Sequence, residues 1–240
     1  MEPSRDSLKI KLFADGADLA GMIEMANKPY ISGLTTNPTL MRKAQVTNYK
    51  KFAKEVLKEI SDKPISFEVF SDDIEEMKYQ GQVLSSWGEN VYVKVPISTT
   101  KSESTFSVVE FLSSKGAKVN VTALMNSSQV EKIASALNES VPSCVSVFAG
   151  RIADTGRDPM PIMRECVNLL SDNKSAEMIW ASPRELLNVF QAQDVGCQII
   201  TATNDILKKL EIVGKDLDEF SLETVKMFYS DARDSNFTIN

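Results

Sequence analysis

A single (β/α)8 barrel of the α/β class, with an extra C-terminal helix, is what three features of this sequence predict. Eight apolar, β-branched runs have strand length, amphipathic helical patterns lie between them, and no composition break or Pro/Gly-rich linker interrupts the 240 residues. The runs recur roughly every 20 to 30 residues, the length a helical crossover needs to bring the chain back to a parallel neighbour. One domain over residues 1–240 is therefore expected. An open doubly wound sheet is the competing arrangement, but the first strand–helix turn has no glycine fingerprint and no nucleotide P-loop occurs anywhere.

Taken in order, "IKLFAD" (10–15) is the first strand, and the "DGAD" at its end offers carboxylates to cap a first helix. "ISGLTTN" (31–37) runs into Asn37-Pro38, an N-cap followed by proline at the first helical position. Tyr49, Phe52, Val56 and Ile60 then share one helical stripe ahead of "PISFEVF" (64–70), and Ser71-Asp72-Asp73 opens the next helix. "VYVKVP" (91–96) precedes the stripe Val108, Phe111, Leu112; "KVNVTAL" (118–124) precedes the helix start Asn126-Ser127-Ser128-Gln129. "CVSVFAG" (144–150) is followed by the stripe Ile162, Cys166, Leu169, and "EMIWAS" (177–182) by Ser182-Pro183-Arg184-Glu185, which reads as a capping box. The eighth run is "CQIITAT" (197–203). Beyond it, Leu217 to Tyr229 reads as an amphipathic helix that could cover a neighbouring element or another subunit.

Composition narrows the function classes. A net charge of −6 and a pI near 5.0 argue against nucleic acid as a partner, since phosphate-backbone binding needs a basic stripe. The apolar runs are too short to cross a membrane and the N-terminus lacks a signal peptide's apolar core, so a cytoplasmic location is expected. Cys144, Cys166 and Cys197 are too widely spaced for a metal-binding pair and read as buried thiols. The chain has no histidine, which removes the commonest general base and metal ligand together. Proton transfers in such an enzyme fall to Asp, Glu, Lys, Tyr or water.

Within "VYVKVP", Val91, Val93 and Val95 share one face and leave Tyr92 and Lys94 on the other. In an edge strand Lys94 would be a solvated gatekeeper; in a barrel its face points inward, where active sites form at the C-terminal strand ends. Each predicted strand there ends in or near a polar residue: Asp15, Asn37, Glu68, Lys94, Asn120 with Thr122, Arg151, and Ser182 with Arg184. A lysine desolvated by apolar walls tends towards the neutral amine, a nucleophile that condenses with carbonyls. The structural alternatives are an ion pair of Lys94 with Glu68 or Asp15, helix capping by Asp15, Asn37 and Ser182, and surface pairs of Arg151 and Arg184 with Asp154, Asp158 or Glu185. Arginine after the late strands, near a helix start, also suits a phosphate.

The segments "GLTTNPTL", "VYVKVPIS", "VNVTAL", "SVFAGRIADTGRD" and "ASPREL…GCQIIT", in this order from about Lys9 to Leu210, resemble the transaldolase family. That resemblance implies a class I Schiff-base aldolase-type barrel of the pentose phosphate pathway that needs neither metal nor cofactor. It implies Lys94 as the imine-forming lysine, Asp15 as the acid/base at the C4 hydroxyl, and Glu68 with Thr122 as holders of a catalytic water. Asn37 and Asn120 would bind dihydroxyacetone hydroxyls, Phe148 would be an apolar wall, and Ser182, Arg184 and Arg151 would hold the phosphate. Related fructose 6-phosphate aldolases carry glutamine and tyrosine in place of Glu68 and Phe148, which favours a transaldolase over a lyase releasing free dihydroxyacetone. The chain departs from the family at Val147, where proline is usual, and in "SPRE". Expected partners are phosphorylated sugars and, through the last helix, further copies in a homo-oligomer; a non-catalytic barrel is the remaining alternative.

Overall fold

In the computed structural model, which describes residues 4–235 and 237–239, the eight predicted strands are all present and close into one parallel barrel in sequence order, a TIM barrel. The first half runs β1 (Lys11–Asp15), α1 (Leu19–Ala26), β2 (Ile31–Thr35), α2 (Pro38–Lys43), α3 (Tyr49–Glu59), β3 (Ile65–Glu68), α4 (Ile74–Ser85), β4 (Val91–Pro96) and α5 (Phe106–Ser114). The second half runs β5 (Val119–Leu124), α6 (Ser127–Ala134), β6 (Ser143–Val147), α7 (Ala149–Asp154), α8 (Met160–Leu169), β7 (Ala176–Trp180), α9 (Leu187–Asp194), β8 (Ile199–Thr203), α10 (Asn204–Lys208) and α11 (Leu217–Asp234). Among the described residues no helix is long and apolar enough to cross a membrane.

Strand parity divides the core in two. Residues such as Leu34, Phe67, Val93, Val121, Val145 and Trp180 point outward and pack beneath the helices in one continuous apolar layer. The inward set forms a small apolar floor from Phe13, Cys144, Ile179 and Ile199, with Tyr92 packed against it. Gly33 lies beside the Phe13 ring so closely that a Cβ there would sit 2.5 Å from it, so only glycine leaves the ring room to fill the floor. Above the floor the inward residues turn polar. Burial pushes the Cys144, Cys166 and Cys197 thiols well above their ordinary range, consistent with packing residues.

Capping explains most helix starts. Asn37, Asn48, Asp73 and Asn126 each accept a backbone N–H from three residues on, and Pro38 occupies the first helical position. Asp18, not Asp15, caps α1 by accepting from Gly21 N at 2.7 Å, which frees Asp15 for the barrel mouth. Two expectations need correction. The Ser182 capping box does not form: Ser182 has φ +59°, and α9 begins only at Leu187 because Asn188 Oδ1 instead accepts from Arg184 N (2.7 Å) and Glu185 N (3.2 Å), holding the segment as a loop. In α8 the buried residues are Met163 and Cys166, followed by Leu170 just past its end, while Leu169 faces solvent and Ile162 is half-buried. None of the residues of α11 is buried.

Candidate active site

The in-register strands set their C-terminal ends at one level: Asp15 lies opposite Thr35 and Thr203, Glu68 opposite Lys94, and Lys94 opposite Asn120. A cavity of about 450 Å³ opens there, lined among others by Asp15, Asn37, Glu68, Lys94, Thr122 and Phe148. A second cavity of about 460 Å³ adjoins it, sharing Asp15 and Leu40.

Lys94 is buried on the inner face, as its parity requires, with 8% of its side chain exposed. Its Nζ lies 3.3 Å from Glu68 Oε2 and donates to the Thr36 carbonyl at 3.1 Å. The ion pair weighed from the sequence is thus present, and it sits inside the cavity instead of at a sheet edge. Glu68 is anchored from behind, because the Tyr49 hydroxyl donates to its backbone carbonyl at 2.8 Å. Asp15 accepts from Thr35 Oγ1 at 2.8 Å and from Asn37 Nδ2 at 3.3 Å. Removal from bulk water raises its pKa above the ordinary carboxylate value, an effect only partly offset by nearby Lys94 and by these two donors.

Asn37 does two jobs at once. Its Oδ1 caps α2 at Leu40 N (2.9 Å) while its amide reaches Asp15. Thr122 contributes a buried hydroxyl with no hydrogen-bond partner among the described residues. It sits beside a β5 irregularity where Ala123 takes φ +65°, a costly conformation for a residue with a Cβ. Asn120, in contrast, lies below the cavity lining, fully buried, donating to Ser66 Oγ (2.9 Å) and accepting from Ser146 Oγ (2.7 Å).

At the far side of the mouth, Arg151 lies 5.6 Å from the Phe148 ring centroid and has no carboxylate within ion-pair distance among the described residues. Ser182 also lines the cavity, held there by close contact of the α7 and β7–α9 backbones: a Cβ on Gly150 would sit 1.6 Å from the Ser182 carbonyl. Arg184 is different. It is paired with Asp154, as the structural alternative required, and does not line the cavity. Three site residues escaped the sequence reading: Thr35, Thr201 and Ser146 line the cavity, and Thr35 Oγ1 links Asp15 to Thr201 Oγ1 at 2.5 Å. Their signal was available, since each shares the inward parity of its strand.

The family sequence model described as Transaldolase/Fructose-6-phosphate aldolase matches residues 12–239. The chain belongs to the transaldolase/fructose-6-phosphate aldolase family. Curated relatives in the family include a "Probable transaldolase" of Sulfurihydrogenibium sp., 31% identical over 84% of this chain and 88% of that protein. Another "Probable transaldolase", from Methanococcus maripaludis, is 34% identical over 84% of this chain and 89% of its own. Among solved structures, a mutant flavocytochrome b2 with benzoylformate matches with a TM-score of 0.56 at 14% identity, over 90% of this chain. The chain spans only 64% of that protein, and the likeness shows the barrel fold alone. Membership places the chain in a family that holds both transferases and aldolases of phosphorylated sugars.

Proposed function

We propose that the chain is a transaldolase. It would transfer a dihydroxyacetone unit from a ketose phosphate, sedoheptulose 7-phosphate or fructose 6-phosphate, to an aldose phosphate, glyceraldehyde 3-phosphate or erythrose 4-phosphate. The observation that carries this reading is Lys94: a buried amine paired with Glu68 at 3.3 Å, in a cavity shared with Asp15 and with a Thr122 hydroxyl that has no hydrogen-bond partner among the described residues.

In this mechanism Lys94 passes a proton to Glu68 and attacks the C2 carbonyl of the donor. The carbinolamine loses water, which Glu68 protonates on leaving and the Thr122 hydroxyl receives, and a protonated imine forms. Asp15 then takes the C4 hydroxyl proton, the C3–C4 bonding electrons move into the imine, and an aldose phosphate departs. A carboxyl with a raised pKa suits that exchange, because it is a stronger base than an ordinary carboxylate. The three-carbon enamine remains on Lys94 until an acceptor aldehyde arrives and the steps reverse. Asn37, bonded to Asp15, would hold a donor hydroxyl beside it, whereas Asn120 would act through Ser146, one layer below. Arg151, Ser182 and Arg184 are assigned to the phosphate end, with Phe148 as the apolar wall between. The reaction so written draws on no cofactor or metal, and we place it in the cytoplasm within one domain spanning residues 1–240. Self-association is part of the proposal, because α11 leaves Phe220, Val225, Phe228 and Tyr229 exposed.

Borohydride trapping in the presence of fructose 6-phosphate tests the reading directly. A reduced three-carbon fragment on Lys94 is expected, and Lys94→Arg should form none, since a guanidinium stays protonated. An adduct on another lysine, or none on active protein, sinks the mechanism. A lyase releasing free dihydroxyacetone would use the same lysine, but Phe148 offers no hydroxyl with which to protonate the waiting enamine.

A further inference from the structure

Arg184 reaches its position through α7. Gly150 lets the β7–α9 loop settle onto that helix, and the guanidinium carbon lies within 3.4 Å of where a Gly150 Cβ would be. Asp154, the last residue of α7, then takes the side-on face of the guanidinium. Nε donates to its Oδ1 at 2.8 Å, and Nη2 makes a short contact with Oδ2. Nη1 donates to the Ser182 carbonyl and to Ser182 Oγ, both at 2.9 Å. Four of the five N–H groups of Arg184 are therefore engaged, and the bidentate edge that best fits a phosphate is filled by a carboxylate of this chain. The Ser182 hydroxyl, itself proposed for the phosphate, is engaged by the same guanidinium. Arg184 and the neighbouring Arg151 hold the Asp154 carboxyl below its ordinary range, so the competing group is fully anionic at neutral pH.

From this geometry we infer that Asp154 is a specificity-determining residue: an internal counter-anion that occupies Arg184 when the site is empty and that an incoming sugar phosphate must displace. Arg151, with no carboxylate within ion-pair distance among the described residues, is the receiving charge; Arg184 joins by exchange. Binding of the phosphate end is then weakened by the energy of a well-formed exposed ion pair, and product release is eased by its return. The inference rests on the proposed phosphate end of the site, and it assigns that end a built-in limit on affinity.

Titration calorimetry with inorganic phosphate separates the two. If the phosphate end is placed correctly, Arg151→Ala and Arg184→Ala each weaken phosphate binding relative to the unaltered protein. If Asp154 competes, Asp154→Asn tightens it by about fivefold, while Glu185→Gln, the same charge change on an exposed neighbour without a bond to Arg184, changes it by less than about twofold. Asp154→Ala should behave as Asp154→Asn and guards against a local effect of the amide. Weaker or unchanged binding in both Asp154 variants, with the arginine variants still impaired, overturns the inference alone and makes Asp154 a group that positions Arg184. Equal tightening in Glu185→Gln also overturns it, since the general field would then be the cause. Phosphate binding left unchanged by both arginine variants overturns the phosphate site and the inference together.

Discussion

Asp15 combines a proposed chemical role with a folding cost. Its pKa is raised in the folded chain chiefly by desolvation, so the folded state binds the proton more tightly than the unfolded state does. The sign follows: this carboxyl favours the fold fully below its unfolded value near 3.8, and that contribution is lost as pH rises through the folded value. At pH 7 this carboxyl costs the fold stability that an asparagine there would not. Asp15→Asn should therefore melt higher, by roughly 2–4 °C for about 1 kcal/mol of relief, while losing cleavage of fructose 6-phosphate. The margin between the two proteins should shrink as the pH of a thermal melt falls towards 4. A variant that melts lower at pH 7 would mean that the bonds from Thr35 and Asn37 outweigh the desolvation. Phe148 offers the complementary test. Phe148→Tyr, with or without Glu68→Gln, should raise free dihydroxyacetone released per donor consumed, without acceptor, by at least about tenfold, because a phenol can protonate the enamine carbon. Unaltered protein that already releases dihydroxyacetone as fast as it transfers it would favour the aldolase instead.

Individual elements show where local rules sufficed. Eight strands were legible as apolar, β-branched runs, helices α2, α4 and α6 because Asn37, Asp73 and Asn126 announce their starts, and α3 from the stripe Tyr49, Phe52, Val56. The loop after β7 was not legible. Ser182-Pro183-Arg184-Glu185 has every local mark of a helix start, yet Asn188 captures the two N–H groups that a capping serine would take, and Gly150 presses on the Ser182 carbonyl. Asn188 is a local competitor, three and four residues on, that the capping pattern does not weigh, whereas the Gly150 contact is tertiary, which spacing cannot reveal. The same limit explains why Lys94, Asp15 and Glu68 could be placed at the mouth by parity, whereas the pairing of Arg184 with Asp154, across two elements, stayed one possibility among several. Gly150→Ala tests how far the loop depends on this contact. With a Cβ 1.6 Å from a backbone oxygen, the loop must lift from α7, at a cost on the order of 1–3 kcal/mol. A lower Tm is expected together with a rise in KM for fructose 6-phosphate larger than any fall in kcat. An unchanged KM would detach the phosphate end from this loop.

At the scale of the whole molecule, α11 and the barrel behave as parts with separate debts. No residue of α11 is buried against the rest, although Leu217, Leu222 and Met227 also stand exposed on it. Ending the chain at Lys215 should therefore leave the barrel's far-ultraviolet dichroism intact. If copies associate through the helix, the full chain's Tm should rise with protein concentration and the shortened chain's should not. A concentration-independent Tm and a monomer mass for the full chain would remove the self-association proposed above. The barrel itself is asymmetric along its axis: Phe13, seated over Gly33, closes the lower end with Cys144, Ile179 and Ile199, while the upper end is open and polar. A vessel sealed at its base has one doorway. In the proposed reaction, donor, expelled water, departing aldose and incoming aldehyde would all pass the same threshold, and the first product would have to clear it before the second substrate could approach the lysine. Ping-pong order, in which two sugars never occupy the enzyme together, would then be imposed by a phenyl ring at the bottom of the barrel, some distance from any bond that breaks.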